Sequence, residues 1–123
     1  TSRATVGEVA INRYKSCTNQ GFINIIPNDN FSLYQLYFWI QDNKQKILSR
    51  ADGSTYKEIN KTDFRSLPIL KINSELYFKF NIIMKYIFNK IENNSVQNKT
   101  LKELRDTLLP KLMSGEIRVT SEK

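Results

Sequence analysis

The sequence predicts an α+β protein, a loop-rich part with short strands followed by one long helix. Three observations carry this. Three of the four glycines and two of the three prolines fall within the first 73 residues. Short β-branched runs alternate there with an aromatic helical stretch. From Asn73 the texture changes, and neither Gly nor Pro occurs until Pro110. Strands and helices mix without a regular βαβ repeat, which places the first part in the α+β class.

Each element has its own signal. Thr5–Ile11 alternates and is β-branched, so a strand is expected. Phe22–Ile26 reads as a second strand, closed by the turn cluster Pro27-Asn28-Asp29-Asn30. Phe31–Asp42 places Leu33, Leu36, Tyr37 and Ile40 at helical spacing, and that helix is expected to continue weakly to Leu48. Phe31, Tyr34, Tyr37, Phe38 and Trp39 are expected to be core. Asp52-Gly53-Ser54 is a turn. Leu67–Ile72 reads as a last strand, with Pro68 at its start or on an edge. The expected organisation is therefore residues 1–73, a helix over 74–113 and a tail over 114–123.

Asn73 or Ser74 can cap the long helix, with Glu75 in its first turn. Leu76, Phe80, Ile83, Ile87 and Ile91 recur at helical spacing. A polar stretch from Glu92 to Thr100 follows, broken only by Val96. Periodicity then resumes at Leu101, Leu104, Leu108 and Leu112. Steps of three and four form a helix-on-helix seam. Its expected pairing residues are Phe80, Ile83, Ile87, Leu101, Leu104 and Leu108. Pairing is expected to be antiparallel, in a homodimer or with further chain of the same protein. Thr100 and Glu103 fit a capping box, so a break or restart is expected there. Ser114-Gly115 ends the helix, and Glu116–Val119 reads as a short strand.

Composition narrows the function. The 123 residues carry 19 basic and 12 acidic side chains, a net charge of +7. Such a surface favours polyanions, nucleic acid first. Asn, Ile and Lys together make up 40 of the residues. Their AT-rich codons account for part of the lysine excess, and for the sequons at Asn30, Asn60, Asn93 and Asn98. Histidine is absent, which removes the commonest general base and zinc ligand. Cys17 alone makes no internal disulfide, and a cytoplasmic location is expected. No apolar run approaches the roughly 18 residues of a membrane span, and no signal peptide is visible.

Candidate site residues lie in loops. Ser54-Thr55-Tyr56-Lys57 matches Ser-x-x-Lys, but the companion motifs of penicillin-binding enzymes are missing. Two readings stay open. The loop presents hydroxyls and a lysine to DNA, or its Ser and Thr satisfy local backbone. Asn19 and Gln20 have the amides that make paired bonds to adenine, or they serve turn chemistry. Arg3, Arg13, Lys15, Lys57, Lys61 and Arg65 lie in or near loops and suit phosphates. Charge is spread over both parts of the chain and does not single out either. Arg105 and Asp106 flank the leucine seam, where a charged pair orients a partner or is simply solvated. No cofactor is expected: there is no Gly-rich nucleotide loop and no acidic cluster suited to Mg²⁺.

Three stretches resemble a known family. Leu101-Lys-Glu-Leu-Arg-Asp-Thr-Leu-Leu-Pro-Lys-Leu-Met-Ser-Gly-Glu-Ile-Arg-Val119 closely resembles the end of the specificity subunits of type I restriction-modification systems. Ser2–Ile11 with Cys17–Phe22, and Gly53–Ile59, look like the second half of a target recognition domain. The resemblance implies an α+β recognition domain and a conserved spacer helix. It implies double-stranded DNA as ligand, with each domain reading half of a bipartite site. It also implies methyltransferase and restriction subunits as partners, whose S-adenosylmethionine and ATP are not this chain's cofactors. No catalysis by the chain itself is expected. Two departures stand out: the first half of such a domain is not in this sequence, and the residues after Pro68 lack the double-proline, Glu-Gln-containing helix start usual in the family. The other reading of the residues is a coiled-coil adaptor or dimerisation module with incidental basic charge.

Overall fold

The computed structural model describes residues 1–119. Four helices follow in order: α1 (Leu33–Asp42), α2 (Lys44–Ser49), α3 (Lys61–Arg65) and α4 (Ser74–Met113). The described chain divides into two compact units, residues 1–81 and the residues from Ile82 onward. The first takes in the opening turns of α4. No helix among the described residues is long and apolar enough to cross a membrane.

Helix starts follow side-chain capping. Ser32 accepts from the Gln35 amide and starts α1. Asn73 accepts from the Leu76 amide at 2.8 Å and starts α4. The expected single helix over 31–48 is instead two, because Asn43 interrupts it. Its side-chain amide donates to the Trp39 carbonyl at 2.9 Å, and the same residue serves as C-cap of α1 and N-cap of α2. Side chains that bond local backbone compete with helix continuation in this way.

The long helix has the expected bounds but no break at Thr100. The Thr100 hydroxyl donates to the Val96 carbonyl at 3.2 Å, and Glu103 faces Lys99 one turn back at 4.0 Å. Both capping-box side chains are thus used inside a continuous helix. At its end Gly115 sits at φ 75°, the left-handed conformation of a helix terminus.

The expected strands are the main correction. Isolated bridges, Arg3 with Glu58, Asp52 with Glu58 and Asn28 with Phe31, are the only β pairing among the described residues. Over 5–11 the backbone turns, since Gly7 takes φ 84°, three residues after the left-handed Ala4. Phe22–Ile26 alternates in burial as a strand does, but its one backbone bond among the described residues is the turn from the Phe22 amide to the Asn19 carbonyl at 3.3 Å. In Leu67–Ile72 the carbonyls of Pro68 and Leu70 accept from the side chains of Trp39 (3.0 Å) and Gln35 (2.8 Å) on α1. Helix side chains thereby take the place of a neighbouring strand. Over 116–119 the Ile117 amide folds back onto the Lys111 carbonyl at 3.2 Å, so no strand forms. The mixed α+β class is therefore realised weakly, as helices linked by loops with isolated bridges.

The core of the first unit is Val6, Ile40, Ile47, Ala51, Ile59 and Leu67, with Val9, Ile23, Ile25, Trp39, Leu48 and Phe64 packed around it. Trp39 stands edge-on to Phe64, ring centroids 5.9 Å apart, which agrees with its expected structural role, whereas Phe38, also expected in the core, is 44% exposed. Glu8 reaches Lys44 in an ion pair. The Lys44 hydrogen bond, then its charge, holds the Glu8 carboxyl below its ordinary range. Ile47 is 1% exposed whereas Leu104 is 52% exposed. Ile47→Ala should therefore cost about 2–5 kcal/mol, and Leu104→Ala in the isolated chain no more than about 0.5 kcal/mol. Urea denaturation of both variants checks this. Equal costs would mean that the core lies elsewhere.

Candidate nucleic-acid interface

Three loops meet along one short backbone strip, Ser2–Ala4. The Ile59 amide donates to the Ser2 carbonyl at 2.9 Å and the Ala4 amide to the Lys57 carbonyl at 3.1 Å. These two bonds flank the antiparallel pair Arg3–Glu58, the pattern of an antiparallel ladder. The Ser2 amide in turn donates to the Gly21 carbonyl at 2.9 Å. Ser2 itself is buried. The strip therefore brings Arg3, the Asn19–Gln20 turn and the loop ending at Lys57 together, although they are far apart in sequence.

The loop over 53–57 is closed at its base by a reciprocal pair. Asp52 donates to the Glu58 carbonyl at 3.0 Å, and Glu58 donates back at 2.8 Å. Gly53 takes φ 131°, and a Cβ there would stand 2.2 Å from the Tyr56 carbonyl oxygen. Only glycine lets the chain close so tightly. Ser54, Thr55, Tyr56 and Lys57 are all exposed, Tyr56 by 60%. None of the four side chains has a hydrogen bond or ion pair among the described residues. Of the two open readings of Ser54 and Thr55, local backbone satisfaction is thus not what the structure shows.

Asn19 and Gln20 differ. The Asn19 side-chain oxygen accepts from the Gly21 amide at 2.9 Å, a turn that uses that oxygen locally. Gln20 is exposed on the same turn. Arg3 lies 3.7 Å from Glu58, both side chains about half exposed. A pair so exposed is worth little and yields readily to a stronger anion.

Arg13 and Lys15 stand apart, exposed on a separate turn that Asn12 organises. Asn12 donates to the Ser16 hydroxyl at 2.8 Å and accepts from the Tyr14 amide at 3.2 Å. Lys61 and Arg65 are on α3, which sequence reasoning missed. Its signal was present: Asn60 accepts from the Asp63 amide at 2.8 Å and donates to the Asp63 carboxylate at 2.5 Å, a reciprocal cap. Gly21 and Glu58 were missed too, because their part is played by main-chain pairing that no motif announces.

The pairing candidates on α4 divide by surroundings. Phe80 is half-buried and stands edge-on to Phe38, centroids 6.3 Å apart. Ile83, Ile87, Leu101, Leu104 and Leu108 are exposed, by 36% to 60%. Arg105 donates twice to the Asp106 carboxylate, at 2.8 and 2.6 Å, and both remain on the surface.

Comparison with known proteins gives a consistent picture. The family model for the type I restriction modification DNA specificity domain matches residues 1–102. The chain is 37% identical over 117 residues to the type I restriction enzyme HindI specificity subunit of Haemophilus influenzae, covering 93% of this chain and 26% of that protein. It is 34% identical over 109 residues to the MjaIX specificity subunit of Methanocaldococcus jannaschii, covering 85% of this chain and 24% of that protein. It spans about a quarter of the length of these relatives. No solved structure matches it.

The tight closure at Gly53 gives a direct check on the loop. Gly53→Ala should destabilise the chain by about 1 kcal/mol or more, because both its conformation and the carbonyl contact oppose a side chain. Ser54→Ala, whose hydroxyl has no partner, should stay within about 0.5 kcal/mol. Thermal melts of the two variants decide. A tolerated Gly53→Ala would show that the loop is looser than described.

Proposed function

The chain belongs to the family of type I restriction-modification DNA specificity domains, and on that footing we propose that it reads one half of a bipartite site on double-stranded DNA. The loop over 53–57 and the Asn19–Gln20 turn face the duplex, with Arg3, Arg13 and Lys15 on flanking phosphates. The observation that carries this reading is the loop itself. It is braced at its base, forced by glycine, and lined by four exposed side chains with no bonding partner within the described chain. Lys57 suits a phosphate as a point charge. Ser54, Thr55 and Tyr56 offer hydroxyls to phosphate or base edges. Of the turn residues, Gln20 is the better reader, since the Asn19 oxygen already serves its own turn.

No chemistry on DNA is assigned to the chain. It acts as a DNA-recognition component in a complex with methyltransferase and restriction subunits, which work on DNA in the cytoplasm. Arg105 and Asp106, exposed beside the leucines, supply a charged docking point for the methyltransferase subunit. Ile83, Ile87, Leu101, Leu104 and Leu108, with Phe80 at their inner end, pair with a second helix, in a homodimer or from the rest of a specificity subunit. The exposed apolar residues of α4 alone would also fit an adaptor without DNA binding, and the DNA titration separates the two readings.

A specificity subunit carrying this sequence should bind duplex DNA with an affinity that falls steeply with salt. Lys57→Gln should reduce the log–log salt slope by about 0.9, the share of one phosphate. Thr55→Ala should instead alter discrimination between sequences, by about 1–3 kcal/mol if it touches a base. Fluorescence titrations over a salt series measure both. No affinity for any duplex at low salt would sink the DNA reading.

Pairing of the helix has its own test. Replacing Leu104 and Leu108 together with Asp should dissociate the paired species to monomer or leave insoluble protein, as read by sedimentation. A well-behaved monomer both before and after the change would rule pairing out.

A further inference from the structure

Val9–Asn12 and Phe22–Ile26 have the burial of β-strands and none of their bonds. In the first, Val9 and Ile11 are half-buried while Ala10 and Asn12 are exposed. In the second, Ile23 and Ile25 are half-buried while Phe22, Asn24 and Ile26 are exposed. Period-two alternation against a core is the mark of a strand with one buried face. Val9, Ile23 and Ile25 pack on the core. Yet Val9–Ile11 and Ile23–Ile26 make no backbone hydrogen bond to any described residue.

Both segments line one groove of about 750 Å³, floored by Leu33, Leu36 and Ile40. Unpaired strand edges beside an apolar floor take up an added strand: main-chain bonds give the affinity, and alternate side chains fill the floor. The relatives supply the length of chain for it, since this sequence covers only about a quarter of them.

We propose that this groove is a strand-acceptor site. Its occupant is an extended segment with alternating aliphatic side chains, supplied by the remaining polypeptide of a specificity subunit and not by a second copy of this chain. It lies along Val9–Asn12 and Ile23–Ile26, pairs with their free amides and carbonyls, and buries its aliphatic side chains on α1. This rests on family membership and not on the DNA reading, so either can fail alone.

Hydrogen exchange followed by mass spectrometry tests it, with a synthetic peptide of alternating valine and threonine as the probe strand. In the chain alone, the amides of residues 9–12 and 23–26 should exchange at nearly unprotected rates at every protein concentration. With the peptide they should slow by about tenfold or more while α4 is unchanged. Asn24→Pro removes one amide that bonds nothing in the chain, and should abolish the slowing over 23–26. Thr18→Ala is the control, since it removes only the 2.9 Å bond from Asn24 to the Thr18 hydroxyl and should leave the slowing intact. Three results would overturn the proposal. One is protection in the chain alone at all concentrations. Another is no slowing with the peptide. The third is protection that appears on raising the protein concentration, which would identify a second copy as the occupant.

Discussion

Everything proposed for DNA recognition depends on the pairing of Ser2–Ala4 with Lys57–Ile59 and Gly21. Each backbone bond contributes only about 1 kcal/mol on its own. Their value is positional. They fix the base of the 53–57 loop against the buried Ile59, and they place Arg3 and the Asn19–Gln20 turn beside it. The loop can then carry four exposed, unbonded side chains without collapsing, because its shape is set by Gly53 and the Asp52–Glu58 pair rather than by those side chains. A reading surface needs this separation: the residues that hold the loop are not the residues that present chemistry.

The same division runs through the rest of the chain. The core of the first unit is small, six buried apolar residues with a partly buried ring around them. Around it the chain relies on polar side chains to satisfy backbone: Asn28, Asn43, Asn60 and Asn73 each close a turn or cap a helix. The asparagine richness that codon bias explains as composition is thus put to structural use. Asn60 shows it best, since a nominal sequon is in fact the cap of α3.

Legibility in the sequence followed the range of the interactions. Elements set locally were readable: the Pro27–Asn30 turn, the aromatic helix α1, the long α4 with its bounds, and the Ser114-Gly115 stop. Elements set by distant partners were not. Alternation in Thr5–Ile11 is real, but Ala4 and Gly7 bend the backbone, and pairing needs a second strand that periodicity cannot supply. Leu67–Ile72 failed as a strand because Gln35 and Trp39, some thirty residues earlier, take its carbonyls. Ser54–Lys57 was visible as a motif, while the strip that positions it, Ser2 against Ile59 and Gly21, carries no sequence signature. Family resemblance supplied what local physics lacked, since it ties the distant segments to one domain.

The central claim is that the 53–57 loop and the Asn19–Gln20 turn form one surface against DNA. Site-specific photocrosslinking tests it most directly, with a photoreactive amino acid placed at Tyr56, at Gln20 or, on exposed α4, at Tyr86 of a specificity subunit carrying this sequence. Crosslinks to a cognate duplex from positions 56 and 20, and none from position 86, are the expected result. Crosslinks from position 86 alone, with positions 56 and 20 silent on bound DNA, would contradict the account.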